Sequence, residues 1–196
     1  MTQQSADNTD EDRLIALART DREAMGRLYD AWYAPIYSYC LRRLFVSDFA
    51  EDVTATVFLQ VAAGIRTFRG GGAGFRAWLY AIASNAVNAH LRQSHRHRRV
   101  MEEATRAGRF NEGHEDPSHR AAQREAWART YLAVSELSEL DQTIMTLRFL
   151  QGLEMAEVAA VVGLKPGAAR TRLCRALERL RTRLGEPPPA RQGETK

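Results

Sequence analysis

The 196 residues, 44% hydrophobic and 27% charged with a net charge of +4, suit one compact domain or two small ones and exclude a disordered chain. No run approaches the roughly 18 apolar residues of a membrane span. The start, MTQQSADNTDEDR, lacks the basic and apolar parts of a secretory signal.

Two cysteines, Cys40 and Cys174, are too few for a disulfide framework or a thiolate zinc site, and both read as small core residues. A soluble, cytoplasmic protein without membrane insertion of its own is expected. The charge is unevenly placed. Up to Ala31 there are seven acids against four arginines, whereas Lys165 to Arg183 holds seven bases against Glu178 alone. Arg92 to Arg99 adds four arginines and two histidines without an acid. Two basic patches on a nearly balanced chain point to a polyanion touched at two places.

Helical periodicity dominates and nothing alternates as a strand, so the fold class is all-α. The first half predicts helices over about 12–19, 22–44, 50–67 and 75–93, with Pro35 marking a break or kink in the second. Within 50–67, Val53, Val57, Val61 and Ile65 form one apolar stripe, while Phe58, Leu59 and Ala62 lie largely outside it. That second face suits either a partner surface or burial on both sides of a bundle.

The loop Phe68-Arg69-Gly70-Gly71-Gly72-Ala73-Gly74-Phe75 places aromatic rings on either side of mobile glycines, a form that can accept an unstacked base. Taken alone, Phe68, Phe75 and Trp78 read more readily as core. In the next helix Asn85, Asn88 and Arg92 share a face that projects on to Arg96 and Arg99. Amides beside guanidiniums bind base edges while the charges follow the backbone.

Residues 101–122 lose periodicity, carry Gly and Pro, and read as a flexible linker between domains over 12–100 and 123–185. The second unit predicts helices over about 123–135, 139–150, 155–162 and 166–184, and the proline-rich 186–196 reads as a disordered tail. Gly163 suits a left-handed C-cap and Pro166 the first helical turn. Ala169, Leu173, Ala176, Leu177, Leu180 and Leu184 form the inward stripe of the last helix; Arg172, Arg175, Arg179 and Arg183 line the other side. This is a helix-turn-helix, the second helix of which fits a major groove. Lys165, Arg170, Thr171 and Arg172 lie nearest its N-terminus, where bases are within reach, and the later arginines, Arg179 among them, suit phosphate. No metal, cofactor or catalytic constellation is expected.

In AEDVTATVFLQVAAGI, FRGGGAGFRAWLYAIASNAVNAHLR and LSELDQTIMTLRFLQGLEMAEVAAVVGLKPGAARTRLCRALERLR the chain resembles the bacterial extracytoplasmic-function (ECF) sigma factors, which carry only sigma regions 2 and 4. The resemblance covers roughly 12–184. It implies that Glu51, Asp52, Phe58 and Leu59 dock on the clamp helices of the RNA polymerase β′ subunit. The loop of Phe68 and Arg69 to Gly74 would capture a flipped base of the −10 element, with Asn85 in the same promoter-opening region. Arg170, Thr171, Arg172 and Arg175 would grip the −35 element. Implied partners are core polymerase (clamp helices and β flap), promoter DNA and an anti-sigma factor.

The chain departs from the family pattern in four places. Ala55 and Thr56 replace a Gln-acid pair, Glu154 replaces a Ser or Thr N-cap, Ala168 and Ala169 replace β-branched residues, and the glycine loop is one residue longer.

Overall fold

The computed structural model describes residues 2–104 and 133–185. Seven helices carry the described chain: α1 (Thr2–Ala18), α2 (Arg22–Leu44), α3 (Ser47–Gly64), α4 (Gly72–Ala104), α5 (Glu139–Met145), α6 (Met155–Val162) and α7 (Pro166–Leu184). Residues 133–135 form a further helical turn, and α5 runs on into a π-helical turn over Thr146–Leu150.

Helix ends follow local chemistry. The Asp21 carboxylate accepts from the Glu23 N–H at 2.9 Å and starts α2. Ser138 does the same for α5, its hydroxyl accepting from the Asp141 N–H at 3.1 Å. Glu154 stands at the N-cap of α6, where its N–H donates to the Glu157 carboxylate at 2.8 Å. The acid in the usual Ser/Thr position thus belongs to a reciprocal cap and also pairs with Arg148 at 3.2 Å.

In the first unit α2, α3 and α4 close around Leu28, Ile36, Tyr39, Val57, Val61, Phe75, Leu79 and Val87, all buried. Tyr39 is fully buried, and its hydroxyl meets Ser84 Oγ at 2.8 Å. Ser84 itself donates to the Tyr80 carbonyl at 2.7 Å, which leaves Tyr39 as donor and both hydroxyls satisfied. Under the second unit, Ala176 and Leu180 of α7 pack on Ala133 and Leu137.

The two units share more than a chain. Ile144, Leu147, Leu153, Val158 and Val161 belong to the same apolar core as Tyr39, Val57 and Leu79. The second unit therefore rests its α5, π turn and α6 on α2 and α4.

Several expectations are corrected. α2 passes through Pro35 as one helix; Ala31, whose carbonyl loses its donor, and Ala34 both lie on the exposed side. α1 starts earlier and α4 ends later than their apolar patterns, because polar residues continue a helix once it is nucleated. Residues 101–104 of the expected linker are thus helical; 105–122, the start of the second unit at 123–132 and the tail 186–196 lie outside the described residues. Cys40 is buried, which pushes its thiol up to about 11, whereas Cys174 is exposed, one position off the inward stripe of α7.

Candidate nucleic-acid interface

Helix α6 ends at Gly163, whose φ of 67° is the left-handed conformation a glycine adopts without strain. The Leu164 N–H returns to the Ala159 carbonyl at 2.9 Å, and Pro166 opens α7 behind the Lys165 N-cap. Ala169, Leu173, Ala176 and Leu180 face inward. Leu184, at the end of the expected stripe, is 38% exposed because the helix outruns the core there.

The outer face of α7 divides its cations into two kinds. Arg172 Nε binds Asp141 Oδ1 at 2.9 Å and Arg179 Nη1 binds Oδ2 at 3.2 Å, with Asp141 only 1% exposed. Burial by itself would raise the Asp141 carboxyl. Its hydrogen bonds with Ser138 and Arg172, the Arg172 charge and Arg179 outweigh that and hold it below the usual carboxylate range. Arg172 and Arg179 are therefore posts that clamp α7 to the start of α5. Lys165, Arg170, Thr171 and Arg175 are exposed, and the three cations among them have no carboxylate partner among the described residues.

The glycine loop is more tightly built than its composition suggests. Phe68 lies flat on Trp78, centroids 4.9 Å apart, and meets Phe75 edge-on at 5.8 Å. A Cβ on Gly70 would fall 2.5 Å from the Phe68 ring, so only glycine lets that ring fold back over the loop. The Asp12 carboxylate, from α1, accepts from the Gly72 N–H and caps α4 from a distant part of the chain. A side chain on Gly71 would strike the same carboxylate. Exposed Arg69 curls back to the Arg66 carbonyl at 2.7 Å.

Along α4, Asn85 is exposed, and the Arg96 side chain lies outside the described residues. Asn88 turns to Arg43 of α2, and Arg92 faces the second unit. Asn88 Oδ1 accepts from Arg43 Nη2 at 2.8 Å, and Arg92 Nη1 pairs with Glu139 Oε2 at 2.9 Å. Arg43, 4% exposed, also donates through Nη1 to Gln142 Oε1 at 2.7 Å. Further along the seam, Arg76 reaches Glu157 at 3.5 Å and the Gln151 carbonyl at 3.3 Å. The Tyr80 hydroxyl donates to Gln151 Oε1 at 3.0 Å, and burial pushes that phenol up to about 12.

On α3, Glu51 and Asp52 are exposed and Leu59 is 72% exposed, as a partner face requires. Phe58, expected beside them, is instead buried under Tyr29 and Tyr33, with centroids 4.6 and 6.4 Å away. The aromatic ring serves the core because α2 supplies two tyrosines at that height. Of the residues replacing the Gln-acid pair, Ala55 and Thr56 are exposed on the same surface, and Thr56 Oγ1 is turned back to the Asp52 carbonyl at 2.9 Å.

Sequence reasoning missed Asp12, Arg43, Asp141, Gln142 and Gln151, whose partners stand 60, 45, 31, 99 and 71 positions away. Only Asp141 left a trace, as an acid in a capped first turn facing a helix otherwise rich in arginine.

With the geometry in place, likenesses to known proteins can be stated. The Sigma-70 region 2 family model matches residues 28–97, and the Sigma-70, region 4 model matches 128–180. The ECF RNA polymerase sigma factor BldN of Streptomyces coelicolor is 36% identical over 162 residues, covering 82% of this chain and 60% of BldN. The chain thus spans about three fifths of that relative's length. The ECF RNA polymerase sigma factor ShbA of Streptomyces griseus is 31% identical over 153 residues, 73% of this chain and 78% of ShbA. Among solved structures, CnrH in complex with the cytosolic domain of CnrY has a TM-score of 0.65 at 22% identity, covering 89% of this chain and 97% of that one. At that identity the likeness is one of fold.

Proposed function

The chain belongs to the ECF RNA polymerase sigma factors, and from that premise we propose that it is a cytoplasmic, non-enzymatic subunit that gives core polymerase its promoter specificity. The first unit holds polymerase and the melted −10 strand; the second holds the −35 duplex. The observation that carries the reading is the helix-turn-helix of α6 and α7. Its outer face exposes Lys165, Arg170, Thr171 and Arg175 near the start of the second helix. A guanidinium fork placed there meets the O6 and N7 of guanine or two phosphate oxygens. Arg172 and Arg179 act by holding α7 at its angle, and Arg172, 41% exposed, keeps an edge for the backbone.

On the first unit the exposed Glu51, Asp52 and Leu59 form the surface offered to the β′ clamp helices, with Phe58 as the packing beneath it. The Phe68–Gly72 loop and Asn85 take the −10 strand, with Asn88, Arg92 and Arg96 tracking its backbone. Opening the duplex needs no hydrolysis, because contacts to extruded bases offset unpairing of a few kcal/mol per base. The β flap is the expected site for the second unit on polymerase. An anti-sigma factor is a further expected partner, since CnrH was solved with the cytosolic domain of CnrY and the sigma factor RpoE of Bartonella quintana with the anti-sigma factor NepR.

The test is run-off transcription with core polymerase, followed by sequencing of transcript 5′ ends. Discrete new start sites sharing upstream elements are expected. DNA binding without new transcripts would leave the other reading, a helix-turn-helix regulator that works on duplex DNA without polymerase.

A further inference from the structure

Two glycines after Phe68 do not serve backbone conformation. Neither Gly70 nor Gly71 lies in the left-handed region, so alanine could adopt either backbone. What bars a side chain is close approach. At Gly70 the Phe68 ring stands in the way, and at Gly71 the Asp12 carboxylate, whose Oδ1 would lie 2.9 Å from a Cβ. The loop is shaped by what leans on it, and one of its two supports comes from α1, 60 positions from the backbone group it holds.

Helix α1 is fixed in register beside the start of α4. Ile15 and Ala18 are buried where α1 packs on α2, and the Glu11 carboxylate accepts a hydrogen bond from Trp32. Trp32 in turn meets Phe75 and Tyr80 of α4 edge-on, centroids 6.0 and 6.4 Å away. Asp12 itself is exposed and forms no ion pair among the described residues. Its Oδ1 accepts from the Gly72 N–H in the first turn of α4. The apolar core has no share in that bond, so losing it alters the loop more than the fold. The other end of the loop hangs on aromatic rings. Phe68 lies on Trp78, and Trp78 is pressed against Gly64, where a Cβ would fall 2.9 Å from the indole. Arg69, the cation of the loop, bonds to the Arg66 and Phe68 carbonyls.

We propose that Asp12 is a positioning residue for −10 recognition. Its bond to Gly72 sets where the Gly70–Gly72 backbone runs relative to the Phe68 ring, and so the shape of the space that takes an unpaired base. This rests on the promoter reading of the loop and extends it to α1, a helix that carries none of the residues assigned above to DNA. Asp12 touches no base; it acts through the loop.

The test uses holoenzyme reconstituted from core polymerase and the full chain. The probe is a promoter fragment mapped by its transcript 5′ ends and held open over the −10 element by mismatches. Each non-template base is replaced in turn by an abasic site. In the parent, removing the captured base is expected to weaken binding about tenfold, the scale of one base–aromatic contact. With Asp12→Ala the intact probe should bind as weakly as the abasic one does to the parent, and removing the base should change little. Asp12→Asn keeps an oxygen acceptor for the Gly72 N–H and should restore the base dependence. Gly71→Ala should reduce that dependence in the parent and cause no further loss once Asp12→Ala has vacated the space.

Melting temperature and affinity for core polymerase are read for every variant. An undiminished base dependence in Asp12→Ala overturns the proposal. So does an equal loss on every probe together with a lowered melting temperature, the mark of a cap that serves the fold alone. A parent holoenzyme that starts no transcripts, or that shows no base dependence at any position, overturns the promoter reading and this inference with it, and that failure is recognised from the parent alone.

Discussion

Helices α4 and α7 both carry arginines on a face suited to nucleic acid, yet they hold them differently. On α7 the anchored guanidiniums find their carboxylate within their own unit, at buried Asp141. On α4 the partners of Arg92 and Arg76 belong to the other unit. The first arrangement survives any separation of the units and pre-orders the helix for docking. The second exists only while the units touch, so it covers the face rather than preparing it. An arginine in an ion pair can thus be a brace or a cover, and the location of its partner decides which.

The sharpest way to break that distinction is Asp141→Asn. It removes the charge from two bonds, each of the charged kind, while leaving half-exposed guanidiniums that water can solvate. A loss of about 1.5–3 kcal/mol in urea unfolding is expected, below the cost of stranding a buried charge. The effect carries a pH signature. The Asp141 carboxyl is held below its ordinary value in the folded state. Its contribution is therefore complete above the unfolded-state value near 3.9 and disappears as pH falls through the folded-state value. The stability gap between the parent chain and the variant should hold at neutral pH and close in acid; a gap that widened in acid would contradict the brace.

Next in size is the contrast between two neighbours on α7. Arg175→Ala should weaken binding to a −35 duplex by about 1–3 kcal/mol and leave the melting temperature unchanged. Arg172→Ala should lower both, because it removes a brace as well as a charge. Fluorescence anisotropy and calorimetry on the same preparations read the two quantities. Equal thermal shifts for both variants would erase the difference between brace and reader.

Smaller, and local to the first unit, is Gly70→Ala. The added methyl would enter the Phe68 ring, which must leave Trp78 or push the loop outward. Overpacking of this kind costs about 1–3 kcal/mol, and a flexible loop places the expected loss at the lower end. Trp fluorescence should shift as Trp78 loses its stacked cover. An unchanged spectrum would mean that the ring is not folded over the loop in solution.

How much of this was written locally in the sequence follows from the range of each interaction. The helix-turn-helix was legible nearly to the residue, because Gly163 and Pro166 set backbone conformation where they stand, and α6 and α7 fall at their expected bounds. The α3 stripe was legible too, but the fate of Phe58 was not. A helical projection places a side chain on a face, and Tyr29 and Tyr33 from α2 decide whether that face is covered. Likewise the arginine face of α7 was visible as a row. Its division into braces and free cations depends on Asp141, which no spacing within α7 encodes. Docking of the two units was not legible, since Leu147, Leu153 and Val158 serve equally well as the core of a separate domain.

The smallest effect belongs to the Arg92–Glu139 pair. Its side chains are 53% and 38% exposed, so water and salt already share the interaction despite its 2.9 Å distance. A double-mutant cycle of Arg92→Gln and Glu139→Gln should give a coupling of about 0.2–1 kcal/mol, falling as salt rises. Weakness here has a consequence. On the proposed reading of α4 a DNA strand would exchange its own contacts for this pair, and a pair near 1 kcal/mol is weak enough to be exchanged. A coupling above about 2 kcal/mol at physiological salt would place Arg92 with the braces of α7, and the face of α4 would then be built to stay closed.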